Sequence, residues 1–403
     1  MTGILSDEIV RLKEQIATQI EGMRNELIHL SRDLHAQPEV AFKEHQSAER
    51  LTIFLEKEGF SIEEGIGQLP TAFKATWEKF PGPSVAFLAE YDALPGMGHG
   101  CGHNLIATSS LGAAVALKRA APELGGRISV FGTPAEEGGG GKILLIERGI
   151  FTDVDAAMMV HPSNRTRLSM RFLAMANLKM AFTGKAAHAA VAPHLGINAL
   201  DAVILTYNNI NALRQQLQED ARVHGIITDG GKAPNIIPAR AEAWFYVRSR
   251  ERGYLDEILE KMKDCAQGAA QATGCQLDLT VEPLVYHPFR SNRALAELFQ
   301  KNLAFLGIEA SHPLPEEAAL GSSDIGNLSD IIPTIHPELA ISPPDVVIHT
   351  PAFAQAAISE ESDRWLLSAA KAMAMTALDI FLIPEKLEEI QREFSSTVDS
   401  EKQ

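Results

Sequence analysis

A chain of 403 residues, 45% of them hydrophobic, can bury a large core and is long enough for two or more domains. Its formal net charge of −16 speaks against nucleic acid and anionic membrane as partners. Three cysteines, Cys101, Cys265 and Cys275, are too few for a disulfide framework and fit a reducing setting. No basic-then-apolar leader opens the sequence and no apolar run reads as long enough to span a bilayer, so a cytoplasmic protein is expected.

Ser6 stands as an N-cap, with Asp7 and Glu8 in the first turn of a long helix. Ile9, Leu12, Ile16, Ile20, Met23, Leu27, Leu30 and Leu34 recur along it at three- and four-residue steps. Gln37-Pro38-Glu39 interrupts the stripe, and a second helix runs from about His45 to Lys57, where Gly59 stops it. Ala72 to Trp77 alternates like a strand, and Phe80-Pro81-Gly82-Pro83 turns. Ser84 to Ala89 then reads as a buried strand that runs into Glu90 to Asn104, a turn dense in acids, glycine, one thiol and two imidazoles. Leu105 to Ala120 is a helix packed on a sheet. Arg127 to Gly132 is a second buried strand, emptying into Thr133-Pro134-Ala135-Glu136-Glu137 and four glycines, with a helix starting near Lys142. Ala156 to Val160 is a third, ending on His161-Pro162, where the proline is expected to stop the ladder. In a mostly parallel sheet the strand C-termini share one edge, so these clusters can converge there.

From about Phe172 the texture changes. Leu178–Thr183, Val223–Asp229, Ala239–Val247 and Gln276–Val281 read as strands, with helices over Asn198–Gln218 and Leu255–Ala272. That β-α-β-β-α-β order is the ferredoxin-like split βαβ pattern, a module inserted in the α/β domain. The expected division is 1–171 and 287–403 for the larger domain and 172–286 for the insert. Helices near Asn292–Leu306 and Ser359–Phe381 complete the larger domain, and only the last ten or so polar residues read as disordered.

Each candidate residue has a plainer reading. A lone histidine is more often structural than a ligand, and adjacent acids are usually a solvated helix face. Here Glu136-Glu137 follows a buried strand and precedes tetraglycine, outside any helical charge pattern. Two neighbouring carboxylates can divide labour, one binding metal and one acting as general base. Cys101 and His103 flank Gly102 in a turn, a poor place for a structural cysteine. Together with His161 they suit Zn2+, Mn2+ or Co2+ better than Mg2+ or Ca2+. Cysteine nucleophilic catalysis, with His103 as base, is the rival, but it leaves Glu136, Glu137 and His161 without work. His349, after the apolar run Pro343 to Ile348, is a further candidate ligand. Backbone N–H groups of Gly321-Ser322-Ser323-Asp324 could face a substrate carboxylate, or the loop is an ordinary helix cap. The glycines 138–141 lack a P-loop's Gly-Lys-Ser/Thr ending.

Asp92-Ala93-Leu94-Pro95, His99-Gly100-Cys101-Gly102-His103, Pro134-Ala135-Glu136-Glu137-Gly138, His161-Pro162, Gly184-Lys185-Ala186-Ala187-His188-Ala189 and His349-Thr350-Pro351 follow one another in this order. In this the chain resembles the co-catalytic metallo-exopeptidases and amidohydrolases, the family of aminoacylase, carboxypeptidase G, plant indole-3-acetyl-amino acid hydrolases and p-aminobenzoyl-glutamate hydrolase. Glu90 to Gly96 and Ser323 to Ser329 resemble its aminoacylase-like dipeptidase branch. The resemblance implies a zinc-exopeptidase-like α/β catalytic domain with an inserted ferredoxin-like lid, through which a homodimer forms. It implies two divalent ions per subunit held by Cys101, His103, Glu137, His161 and His349, with Asp92 behind them. It makes Glu136 the general base and His188 an oxyanion donor in the partner's active site. Asn235 and Arg248 fall at positions near the substrate's carboxylate. The expected reaction is cleavage of a dipeptide or N-acyl-amino acid amide, with a p-aminobenzoyl-glutamate type substrate, or an inactive binding relative, as alternatives. The chain departs from many relatives at Glu90, where they carry His, and at Asn104, where amidohydrolases often carry Asp.

Overall fold

The computed structural model describes residues 2–311 and 321–401. They divide into two units, one comprising Phe172–Pro288 with Gly321 and Ser322, the other the remainder.

In the larger unit α1 (Thr2–Gly22) and α2 (Arg24–Ala36) carry the expected apolar stripe, but the helix breaks at Met23. It breaks next to Gly22, the poorest helix former in the segment. Helix α1 also begins before Ser6, so that residue is not its cap. After α3 (His45–Lys57) comes β1 (Ser61–Glu64), an edge strand too short and polar to have shown an alternation. β2 (Phe73–Lys79), β3 (Ser84–Ala89), α4 (His103–Ala120), β4 (Gly126–Gly132), α5 (Gly141–Glu147), β5 (Ala156–Met158) and β6 (His161–Ser163) follow.

The insert holds β7 (Ala174–Thr183), α6 (Ala199–Leu213), β8 (Arg222–Asp229), β9 (Arg240–Ser249), α7 (Arg252–Thr273) and β10 (Gln276–Val281). Its four strands form an antiparallel sheet in the order β10-β7-β9-β8, the ferredoxin-like arrangement. Alternate residues of β7 and β9, among them Leu178, Met180, Phe182, Ala243, Phe245 and Val247, pack with Val203, Ile210, Ile258 and Met262 of α6 and α7. The outward positions of β8 are left exposed.

The larger unit resumes with α8 (Arg293–Phe305), α9 (Ile325–Ser329), β11 (Thr334–Ile335), β12 (Glu338–Ala340), α10 (Pro351–Ala356), α11 (Glu360–Leu382) and α12 (Pro384–Glu401). Its sheet runs β1-β2-β4-β3-β5-β11, with β4, β3, β5 and β11 parallel and β2 antiparallel to both of its neighbours, β1 and β4. β3, buried on both faces, is the centre of that parallel run, and α4 lies against it. Contrary to expectation, His161-Pro162 does not end a ladder. It opens β6, parallel to β12, with His161 in register with Glu338. Proline fits there because β6 belongs to a two-stranded ribbon whose outer side asks for no N–H. The tail expected to be disordered continues as α12 to Glu401; residues 402 and 403 lie outside the described ones. Helix α11 also corrects the sequence reading. It is long and apolar enough to cross a membrane, yet 83% of its apolar window is buried against the rest of the unit, as a core helix beside α4.

Because β3 carries the central load of the sheet, Phe87→Ala should cost about 3–5 kcal/mol of unfolding free energy. The check is a urea titration, in which the midpoint falls while the slope stays constant.

Candidate metal centre

Three adjacent parallel strands deliver their C-terminal ends to one place. β3 passes into the buried acids Glu90 and Asp92, and pairing between β3 and β4 continues one step further as Thr133 N–H donates to the Ala89 carbonyl at 2.8 Å. Two glycines set the loops. Gly102 sits at φ 77°, where a Cβ would come within 2.6 Å of Pro162 Cγ, so Cys101 and His103 can straddle it at the start of α4. Gly141 lets the loop after Glu137 close onto the Pro134 carbonyl, 1.8 Å from where a Cβ would be. Ala135 (φ 61°) and His349 (φ 62°) occupy the left-handed region without being glycine, a strain of about 1–3 kcal/mol each. His349 is held there by its N–H, which donates to the Gly100 carbonyl at 2.8 Å.

The side chains converge. Cys101 Sγ lies 3.4 Å from His161 Nε2, and His349 Nε2 lies 3.4 Å from Glu137 Oε2. Three overlapping groups have donor atoms within 4.8 Å of one another: Cys101, His103 and His161; Cys101, Glu137 and His349; His103, Glu136 and Glu137. One carboxylate organises them. Asp92 Oδ1 is 3.0 Å from His103 Nδ1, and Asp92 Oδ2 accepts from the Glu137 N–H at 2.9 Å. The first contact turns His103 Nε2 inward, the carboxylate–histidine pairing typical behind metal ligands. Among the described residues, His103 Nε2 and Glu137 Oε1 are buried with no hydrogen-bond partner, as is Glu90 Oε2. Buried polar atoms are rarely left so, and soft and borderline donors turned on a common point fit a divalent transition metal.

Electrostatics agree with a site poised around charge. Burial lifts the Glu136 carboxyl, and Glu90, Asp324 and Glu137 add to the effect, leaving it well above the usual range despite Lys142. Burial also works against ionisation of Glu137, but His349, His103 and Cys101 outweigh it and hold that carboxyl low. Burial, then Glu137, pushes the Cys101 thiol up. Burial lowers His161 to about 4, helped by His103. For His103 the burial penalty is overcome by Asp92, which raises its pKa well above the ordinary imidazole value.

Residues missed in the sequence surround this centre. Lys142 is wholly buried, its Nζ 2.5 Å from Glu90 Oε1 and 2.6 Å from Asp324 Oδ1, while its N–H donates to Asp324 Oδ2 at 2.9 Å. Asp324 thus spends its carboxylate on Lys142 and makes no side-chain cap bond to α9. Glu44 accepts from the Ala135 and Phe42 N–H groups and from Thr71 Oγ1. His336 stacks on the His161 ring at 5.2 Å. A lysine directly after tetraglycine was the available signal for the first; Glu44, beside a helix start, offered none. His99 stays out of the cluster, with Nε2 3.2 Å from the Leu34 carbonyl, and Asn104 donates to Ser31 Oγ and the Ala357 carbonyl.

The remaining expected residues belong to the insert. There His188 Nδ1 accepts from the Ala190 and Val191 N–H groups at 3.3 and 3.2 Å, and Ala189 N–H donates to the Asn235 carbonyl at 3.0 Å. Both side chains are exposed. Arg248 donates to Ser322 Oγ at 3.1 Å, and the Gly321 carbonyl accepts from Leu173 at 2.8 Å.

Comparison with known proteins gives the class, a hydrolase of amide or peptide bonds. Residues 171–273 match the peptidase dimerisation domain. The Xaa-Arg dipeptidases of Mus musculus and Homo sapiens are each 40% identical over 412 residues, covering 98% of this chain and 94% of theirs. One of the subunits of the Escherichia coli p-aminobenzoyl-glutamate hydrolase is 31% identical, covering 95% of this chain and 94% of its own. A Bacillus subtilis structure described as a dinuclear metal binding peptidase of the M20 family shares the fold, with a TM-score of 0.70 and 23% identity over 90% of this chain and 99% of that one. The chain belongs to the M20 peptidase family.

Glu44 supplies a pH test. Burial raises its carboxyl from 4.5 to about 7. Between those values the folded state holds a proton that the unfolded state has lost, so this group's contribution to stability is full below pH 4.5 and is lost as pH rises to 7. In Glu44→Gln the unfolding free energy relative to wild type should therefore improve from pH 4.5 to 7, by at most about 1.4 kcal/mol per pH unit. Urea melts of chelator-treated protein across that range measure it.

Proposed function

We propose that this protein is a homodimeric, two-metal dipeptidase that cleaves the amide bond before a basic C-terminal residue. The observation that carries the reading is the cluster of Cys101, His103, Glu137, His161 and His349 donors with Glu136 beside it. The substrate class follows from likeness to the Xaa-Arg dipeptidases. The p-aminobenzoyl-glutamate hydrolase likeness supports an N-acyl-amino acid amide as the second reading. The two free cysteines outside the cluster, Cys265 and Cys275, favour a reducing, cytoplasmic setting.

Cys101, His103, Glu137, His161 and His349 would hold two divalent ions, with Zn2+, Mn2+ and Co2+ the candidates by donor type. When bound, such ions polarise a carbonyl and bring the pKa of water to about 7. Asp92 keeps His103 in the tautomer with its proton on Nδ1, leaving Nε2 free to donate its electron pair. Glu136, with its raised pKa, is suited to take a proton from the attacking water and return it to the leaving amine. His188 of a partner subunit would stabilise the developing oxyanion, with Asn235, Arg248, Gly321 and Ser322 near the substrate carboxylate. Dimerisation through the insert is supported by the family match over 171–273 and by the open edge of β8, where Ile226 and Ile227 are 59% and 45% exposed.

Glu136→Gln should retain bound metal while turnover falls by about 10²–10⁴-fold; near-normal turnover would sink the base assignment. Heterodimers of Glu136→Gln and His188→Ala subunits should regain activity over either parent if the histidine works in trans, and absence of complementation in confirmed heterodimers argues against it. A panel of Xaa-Arg, Xaa-Lys and neutral dipeptides beside N-acyl-amino acids, assayed with Mn2+ and Zn2+, should give its highest kcat/KM on the basic dipeptides. A preference for N-acyl-amino acids would favour the second reading.

A further inference from the structure

Glu90 lies outside the donor set implied by the family resemblance, yet only half of its carboxylate is used. The residue is 1% exposed; Oε1 accepts from Lys142, and Oε2 has no hydrogen-bond partner among the described residues. Oε2 lies 3.5 Å from His103 Nε2, which is also without a partner. A hydrogen bond does not join them, and His103 already turns its Nδ1 to Asp92.

Charge points the same way. Lys142 Nζ is shared between Glu90 and Asp324, and all three side chains are buried. Two carboxylates share one ammonium in a place where water cannot screen them. The orphaned oxygen points at His103 Nε2, an imidazole nitrogen that is itself without a hydrogen-bond partner. Spacing agrees as well. Two donors on one tetrahedral ion with bonds of about 2.0–2.1 Å stand about 3.3–3.4 Å apart. Glu90 Oε2 to His103 Nε2 (3.5 Å) and His349 Nε2 to Glu137 Oε2 (3.4 Å) are close to edges of that length.

We propose that Glu90 Oε2 is an additional ligand to the divalent ion at His103 Nε2, with Lys142 and Asp324 as positioning residues that hold the carboxylate by its other oxygen. The inference rests on the two-metal reading above. It gives Glu90, which stands where many relatives carry His, a role that Lys142 supports.

Chelator-treated wild type, Glu90→Gln, Glu90→Asp and Glu137→Gln are titrated calorimetrically with Zn2+ and with Mn2+, and bound metal is counted after gel filtration. Absorption spectra of the Co2+-loaded proteins report the donor set directly. Wild type should take up two ions per chain. Glu90→Gln should bind one of them about tenfold or more weakly and shift the Co2+ bands. Glu90→Asp keeps the charge facing Lys142 but is a methylene too short to serve both partners, so it should show the same loss and guards against a folding defect in the first variant. Two ions bound at wild-type affinity, with unchanged Co2+ spectra, in both Glu90 variants while Glu137→Gln is weakened would overturn this inference alone. Wild type that binds no divalent ion would overturn the two-metal reading and this inference with it.

Discussion

The site depends on what one carboxylate does at the end of the central strand. Asp92 accepts from the His103 ring with one oxygen and from the Glu137 backbone with the other. It therefore fixes a side chain on the loop after β3 and the main chain of the loop after β4. Parallel pairing brings the strand ends near one another, but only to the accuracy of loop backbones, and donor atoms must be placed within a few tenths of an ångström. A buried acid with both oxygens committed supplies that accuracy. The strained backbones of Ala135 and His349 fit the same logic, since the surrounding hydrogen bonds from Ala135 to Glu44 and from His349 to Gly100 over-determine them.

Around this centre the protein buries an unusual amount of charge. Glu44, Glu90, Asp92, Lys142 and Asp324 are all hidden from solvent. Such groups are costly unless paired, and as a stability device they compare poorly with apolar packing. Their arrangement makes sense as a way to hold position and potential. Lys142 draws together the end of β3, the start of α5 and the approach to α9, three segments that share no strand pairing at that level. The apolar core formed by α1, α4, α11 and the sheet supplies the stability that this polar centre lacks.

The sequence made the two-unit organisation and the strand-end clusters readable for physical reasons. Strands buried on both faces show as short apolar runs, so ionisable residues directly after them stand out. The alternation in the insert was equally plain, because β7 and β9 are buried on one face and wet on the other. Other features had no local signature. Glu44 sits among charged neighbours at a helix start, and its burial comes from contacts far along the chain. His161 gave its chemistry away but not its strand, because β6 exists only through pairing with β12. The last ten or so residues read as disordered because they are polar, and nothing in them shows that α12 runs on through them from Ile390, which packs in the core. Asp324 was noticed only as part of a small-residue loop, and its ion pair with Lys142 needed the third dimension to be seen.

The insert also shapes how the chain can reach its native state. Its two ends are tied to each other, with Met175 and Tyr286 exchanging both backbone hydrogen bonds. β5 must meet β11 across the whole insert, Ala157 pairing with Thr334, and such a long loop is entropically costly to close as a flexible chain. Once the insert has folded, its length no longer counts, because the chain enters and leaves at nearly one point. Synthesis from the N-terminus completes the insert before β11 exists, so the order in which the ribosome delivers the segments shortens the effective loop between β5 and β11.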